Sequence, residues 1–90
     1  MNNELTDFEI EILKALRKHN DRNTAEKFFM DEYYKKLYED VPEERFREKL
    51  TLLEYQGYIN KISVAFKQKF GLYDIAPEGL KFLINLERKR

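Results

Sequence analysis

The sequence contains no cysteine, no tryptophan, one histidine, two prolines and three glycines. The lack of cysteine excludes disulfides, zinc–thiolate sites and cysteine nucleophiles. The single His19 excludes metal sites built on paired histidines and argues against a histidine-based catalytic centre. No uninterrupted apolar run exceeds three residues, so no membrane span is predicted, and the polar N-terminus is unlike a signal peptide. We expect a cytoplasmic protein that is not an enzyme and uses no metal or cofactor.

The composition fits one small domain over residues 1–90. Hydrophobic residues make up 42% of the 90 positions and aromatic residues 14%, which suffices for one modest core. The 17 basic and 17 acidic residues balance, but residues 1–44 hold 7 basic and 12 acidic ones, and residues 45–90 hold 10 and 5. This asymmetry indicates either a molecule with two differently charged faces or an ordinary solvated surface.

Three helices are predicted in the first two thirds of the chain. Thr6 and Glu9 have capping-box spacing at the start of a helix over about 6–19. A second helix, rich in aromatic residues, is predicted over about 24–39. Pro42 is expected as the first residue of a third helix over about 42–56, and Gly57 fits its left-handed C-cap.

After Gly57 the apolar period changes from helical to alternating. Ile62, Val64 and Phe66 predict a half-buried strand, and residues 72–75 can return as its hairpin partner. Pro77 then opens a last helix ending near residue 88. Two apolar faces are expected on it, one with Leu80, Leu83 and Ile84, the other with Phe82 and Leu86.

Two segments resemble the winged helix-turn-helix superfamily. They are Leu50–Ile59, LTLLEYQGYI, and Tyr73–Leu83, YDIAPEGLKFL. Similar patterns occur in small bacterial, archaeal and phage regulators, including the YjcQ-like winged helices of phages and the Sso10a-like winged helices of archaea. The resemblance implies an α+β winged helix-turn-helix fold with three helices, a two-stranded β-hairpin wing and a C-terminal helix. The chain departs from the pattern at Ala76, where a helix-capping threonine is usual, and in its long aromatic second helix.

By this resemblance the chain is a sequence-specific DNA-binding protein, a small transcriptional regulator that binds double-stranded DNA. The helix over 42–56 would enter the major groove and the hairpin over 59–76 would act as the wing. The candidate DNA contacts are Arg45, Arg47, Lys49 and Thr51 on the helix and Lys61, Lys67, Gln68 and Lys69 on the wing. Alternatively, the arginines pair with neighbouring glutamates, and the wing lysines protect an exposed strand edge from aggregation.

The row opposite the buried stripe of the third helix is acidic. At about 100° per residue, Glu44, Glu48, Thr51 and Tyr55 should point outward. Two carboxylates facing phosphates disfavour DNA, although glutamate can accept a hydrogen bond from cytosine. A winged-helix module for protein–protein interaction, such as a phage or mobile-element adaptor, therefore remains the alternative function.

The last helix is a candidate homodimer contact. A helix that is apolar on two sides is either deeply buried or covered by a partner. Phe82 and Leu86 are the predicted contact residues. The alternative is that both pack against the helix over 6–19 in the same monomer.

Overall fold

The computed structural model describes residues 5–21, 28, 30–38, 40–63 and 69–89. Within these ranges the fold is α+β, with four helices and one two-stranded antiparallel sheet. The elements in chain order are α1 Asp7–Asp21, α2 Met30–Leu37, α3 Glu43–Tyr55, β1 Ile59–Ser63, β2 Leu72–Ile75 and α4 Pro77–Arg88. This order confirms the predicted sequence of three helices, a hairpin and a final helix. None of the described helices is long and apolar enough to cross a membrane.

The start of α1 is fixed by the side chain of Glu9. Its Oε1 accepts hydrogen bonds from the backbone N–H of Thr6 at 2.8 Å and from the Thr6 hydroxyl at 3.0 Å. The predicted capping pair is therefore in contact, and it satisfies a donor that the helix leaves unpaired. Glu9 is buried, which places this cap against the rest of the domain.

Helix α2 is shorter than predicted. It runs over Met30–Leu37, and Phe28 is not helical; the predicted positions 24–27 and 29 lie outside the described residues. At its C-terminal end, the Tyr38 N–H still reaches the Tyr34 carbonyl at 2.8 Å. The chain then turns, with the Val41 N–H donating to the Tyr38 carbonyl at 2.8 Å. Helix α2 thus ends at Leu37, two residues before the predicted end at about 39, and residue 39 itself lies outside the described residues. Helical backbone is disfavoured at Val41, because this residue precedes a proline.

Helix α3 begins one residue later and ends one residue earlier than predicted. Pro42 is its N-cap, with ψ of 140°, instead of its first helical residue. At the other end Gly57 has φ of 85°. The Gly57 N–H donates to the Glu54 carbonyl at 3.0 Å, and the Tyr58 N–H donates to the Leu53 carbonyl at 2.9 Å. These two bonds form a Schellman motif, so the predicted glycine C-cap is confirmed.

The hairpin contains a β-bulge that the alternating pattern did not predict. Ile59 pairs with Ile75, Lys61 with Tyr73 and Ser63 with Leu72, which leaves Ile62 without a partner. Ile62 is 61% exposed, so its prediction as an inward residue was wrong. An extra residue on one strand shifts the alternation of the side chains that follow it. Val64 and Phe66 lie outside the described residues.

The core is formed where α1, α3 and the hairpin meet. Its buried members are Ile12, Leu13, Leu16, Met30, Phe46, Leu50, Leu53, Ile59, Phe70, Tyr73, Ile75 and Leu83. Helix α4 contributes Leu83, with Leu80 half-buried beside it. Ile84 is 48% exposed, so its prediction on the inner face was wrong. Successive residues are about 100° apart around a helix. Because Gly79 and Leu83 lie on the buried face of α4, the next residue, Ile84, is turned away from it.

Gly79 of α4 packs tightly against Tyr58, between α3 and β1, and against Ile75 of β2. A Cβ at this position would lie 2.4 Å from the Tyr58 carbonyl oxygen and 2.9 Å from Cγ1 of Ile75. The Tyr58 carbonyl is held in place because it accepts a hydrogen bond from the Ala76 N–H at 2.9 Å. Only glycine therefore fits here without a shift of the backbone.

We expect Gly79→Ala to destabilise the protein, contrary to helix propensity. Alanine normally gains about 1 kcal/mol over glycine within a helix, but the clash with fixed backbone should cost about 1–3 kcal/mol beyond that gain. Urea denaturation followed by circular dichroism measures the change. Asn85→Ala, at an exposed position of the same helix, is the control and should be neutral or slightly stabilising. A stabilised Gly79→Ala variant would contradict the close packing.

Candidate nucleic-acid interface

The outer face of α3 carries the residues predicted to point outward. Phe46, Leu50 and Leu53 form the buried stripe. Glu44, Glu48, Thr51 and Tyr55 are all exposed, with Tyr55 88% exposed. The predicted orientation of the helix is therefore confirmed. Leu52, beside this row, is also 46% exposed.

The three basic residues of α3 differ in what they contact. Arg45 is exposed. The Arg47 guanidinium lies 5.6 Å from the centre of the Phe70 ring, and its Nη2 is 3.4 Å from the Lys69 carbonyl oxygen. Lys49 is half-buried, with its Nζ 3.7 Å from a carboxylate oxygen of Glu9 on α1. Lys49 is thus turned toward the domain, whereas the two arginines remain exposed.

The wing candidates fall into three groups. Lys61 on β1 is exposed, and Lys67 and Gln68 lie outside the described residues. Lys69 lies in the loop that leads into β2, where its Nζ is 2.5 Å from Oε2 of Glu43 at the start of α3. The hydrogen bond and charge of Glu43 raise the pKa of Lys69. Lys69 is therefore charged, but its charge is already shared with a carboxylate.

Asp31 connects α2 to the loop that leads into β2, and no sequence pattern predicts this role. Its Oδ2 accepts a hydrogen bond from the Lys69 N–H at 2.7 Å. Its Oδ1 accepts from the N–H groups of Phe70 at 2.9 Å and Gly71 at 3.4 Å. One carboxylate thus caps three consecutive backbone donors. Asp31 and Lys69 are 38 positions apart, so no local spacing could indicate the contact.

The outer face of α3 also borders an open groove of about 610 Å³. Its lining combines two carboxylates, a guanidinium, a hydroxyl and an aliphatic side chain, namely Glu44, Arg47, Glu48, Thr51 and Leu52. Such a mixture can accept and donate hydrogen bonds side by side. It is suited to recognising a surface that presents both donors and acceptors.

Within the described ranges, the acidic and histidine side chains form no candidate metal centre. No group of three or more His, Asp or Glu residues is placed there to hold an ion. Tyr73 is buried on β2, and its burial raises the pKa of its hydroxyl. A neutral buried phenol of this kind serves packing in the hairpin.

The two predicted dimer residues are both half-buried within the monomer. Phe82 packs its ring 5.5 Å from that of Tyr58, centroid to centroid. Leu86 is likewise half-buried. The neighbouring Glu87 makes a two-point ion pair with Arg17 of α1, at 3.1 and 2.7 Å. Part of each predicted contact residue is therefore covered by the chain's own side chains, and part stays accessible.

Comparisons with known proteins returned no match. A scan against protein-family models, a search of curated proteins and a search of solved structures each found nothing similar enough to report. The contacts of the chain's own residues are therefore the basis for assigning a function.

Proposed function

We propose that the chain is a winged-helix DNA-binding protein, a small transcriptional regulator that places α3 in the major groove. The proposal is supported by one observation above all. Helix α3 turns an exposed polar face outward beside the hairpin, and the loop residues just before β2 are held to α2 by Asp31 and to α3 by Arg47. A helix of this kind fits the major groove of B-DNA, and an attached hairpin can reach the neighbouring backbone.

The proposed contacts divide between bases and phosphates. Arg45, Arg47 and Thr51 are exposed on α3 and can reach base edges or the adjacent phosphates. Lys61 and Lys69 would contact phosphates from the wing, as would Lys67 and Gln68 beyond the described residues. Lys49 is a weaker candidate, because Glu9 holds it toward α1.

The acidic residues limit the affinity that this surface can reach. Lys69 must exchange Glu43 for a phosphate before it contributes. Glu44 and Glu48 remain exposed on the same helix and repel phosphates. Modest affinity for random DNA and a small number of phosphate contacts are therefore expected.

Fluorescence anisotropy on random-sequence duplex DNA, titrated with salt, tests this proposal. Each neutralised phosphate changes the slope of log K against log salt by about −0.9. Phosphate contacts from Lys61, Lys67 and Lys69 would therefore give a slope of roughly −3. Lys61→Ala and Lys69→Ala should each weaken all sequences alike and flatten the slope, whereas Arg45→Ala or Arg47→Ala should alter sequence preference.

Lys81→Ala on α4 is the matched control, because Lys81 is an exposed lysine remote in sequence from α3 and the wing. It should leave binding unchanged. An absence of binding even at low salt, or equal losses in Lys61→Ala and Lys81→Ala, would reject the proposed surface.

A protein partner is the second candidate function, and one observation favours it. Leu52 and Tyr55 are exposed on the same helix as Glu44 and Glu48. Aromatic residues such as Tyr55 are enriched in protein interfaces, whereas the two carboxylates repel phosphates. The two functions respond oppositely to a charge change. The double variant Glu44→Lys, Glu48→Lys should tighten binding to random-sequence DNA, because two carboxylates no longer repel phosphates, but it should weaken a protein complex formed through this face.

A homodimer is proposed as a further property of the regulator. The supporting residues are Phe82 and Leu86, which α4 leaves partly accessible beside exposed Ile84. Burial of this apolar strip against a second copy would stabilise the dimer. Sedimentation equilibrium of the purified chain measures whether it forms.

A further inference from the structure

The groove on the outer face of α3 sets carboxylates beside a guanidinium. Glu44, Arg47 and Glu48 all line it, and all three are exposed. Within the described residues neither glutamate makes an ion pair. Both carboxylates are therefore available to accept hydrogen bonds from a ligand placed along α3.

The distance between Glu44 and Glu48 along α3 is close to two base-pair steps of a DNA duplex. Glu44 and Glu48 are one helical turn apart, which corresponds to roughly 6 Å along the axis of α3. Successive base pairs are separated by about 3.4 Å. With α3 lying along the major groove, the two carboxylates would meet base pairs about two steps apart.

The chemistry of the major groove decides which bases these carboxylates can face. A carboxylate needs a donor, and glutamate finds one in the N4 amino group of cytosine. A C·G pair presents this donor next to the O6 and N7 acceptors of guanine. Arg47 lies in the same groove and carries the donor fork that suits guanine. A glutamate and an arginine side by side thus complement both halves of a C·G pair.

Resting on the proposed function, we infer that Glu44 and Glu48 are specificity-determining residues that select C·G pairs about two steps apart in the DNA target. Each carboxylate accepts a hydrogen bond from a cytosine N4 amino group, and Arg47 donates to the O6 and N7 of a paired guanine. A duplex without cytosine at these positions leaves a carboxylate without a partner, which is unfavourable in a desolvated interface. The acidic row then rejects wrong sequences while it accepts the right one.

Selection from randomised duplexes, followed by sequencing and anisotropy on the selected sites, tests this inference. The wild-type protein should enrich cytosine at two positions. Glu44→Gln and Glu48→Gln should each change one position from cytosine to adenine, because glutamine pairs with the N6 and N7 of adenine. Affinity for the original site should fall about tenfold, the usual cost of one mismatched contact.

Glu54→Gln is the matched control, since Glu54 is an exposed glutamate of α3 that does not line the groove. It should select the same sites as the wild type. If the protein binds duplex DNA without a cytosine preference, or if all three variants select wild-type sites, the inference is overturned while the proposed function stands. If no duplex binds at low salt, the proposed function fails and this inference fails with it.

Discussion

Replacing Phe46 with alanine is expected to lower the free energy of unfolding by about 3–5 kcal/mol, the usual cost of truncating a buried phenylalanine. Phe46 is 0% exposed. Its ring centre lies 4.8 Å from that of Tyr34, 4.9 Å from Phe70, 5.6 Å from Tyr38 and 5.9 Å from Phe8. These partners come from α1, α2, the turn after α2 and the loop that leads into β2. A cavity shared by so many segments cannot close without moving several of them, so the cost should be near the top of the range.

Urea denaturation followed by circular dichroism measures this loss. Tyr55→Ala is the matched control, because Tyr55 is an aromatic residue of the same helix that is 88% exposed. Its free energy of unfolding should change by no more than about 0.5 kcal/mol. Since a domain of this size is stable by only about 5–15 kcal/mol, Phe46→Ala should lose a large fraction of its free energy of unfolding. Equal stability of the two variants would show that the aromatic cluster around Phe46 does not hold the domain together.

Replacing Asp31 with alanine is expected to lower the free energy of unfolding by about 2–3 kcal/mol and to loosen the loop residues that lead into β2. The variant loses the acceptor for the N–H groups of Lys69, Phe70 and Gly71. Two of these bonds are partly buried, so the freed donors are only partly compensated by water. If the wing contacts DNA, affinity should fall for all sequences alike, because Asp31 positions the hairpin without facing bases.

Hydrogen exchange and urea denaturation together test the role of Asp31. The amides of Phe70 and Gly71 should lose protection in Asp31→Ala, and Asp31→Asn should fall between alanine and wild type because one amide oxygen can still accept. Glu32→Ala is the control, since Glu32 is an exposed acid of the same helical turn and should be nearly neutral. Identical exchange in Asp31→Ala and Glu32→Ala would contradict the proposed link between α2 and the hairpin.

Features set by neighbouring residues could be predicted from the sequence. The contact between Thr6 and Glu9, the glycine C-cap at Gly57 and the start of α4 at Pro77 depend on residues a few positions apart. The outward row of α3 follows from helical periodicity, because one buried stripe fixes the opposite face. These local rules established the order of the elements and the orientation of α3.

Features set by distant parts of the chain could not be predicted in the same way. The bulge at Ile62 depends on pairing with β2, and the exposure of Ile84 depends on how α4 is rotated against Tyr58 and Ile75. In each case tertiary packing overrides a local pattern.

The same distinction applies to the candidate interface. Exposure of Arg45, Arg47 and Thr51 followed from the helix pattern. The carboxylates that hold Lys49 and Lys69 belong to other elements, at 3.7 and 2.5 Å, and no spacing in the sequence links them. The sequence could therefore locate the charged residues but not show which charges are already paired.

Mapping a duplex onto the protein by NMR tests the central claim most directly, namely that α3 and the hairpin form a DNA-binding surface. A titration of ¹⁵N-labelled protein with short random-sequence duplex DNA at low salt should shift the amide resonances of Arg45 to Leu52 in α3 and of Asn60 and Lys61 in β1. The amides of α4 should remain in place. Shifts concentrated on α4, or none at all, would contradict the assignment of α3 and the hairpin as the DNA-binding surface.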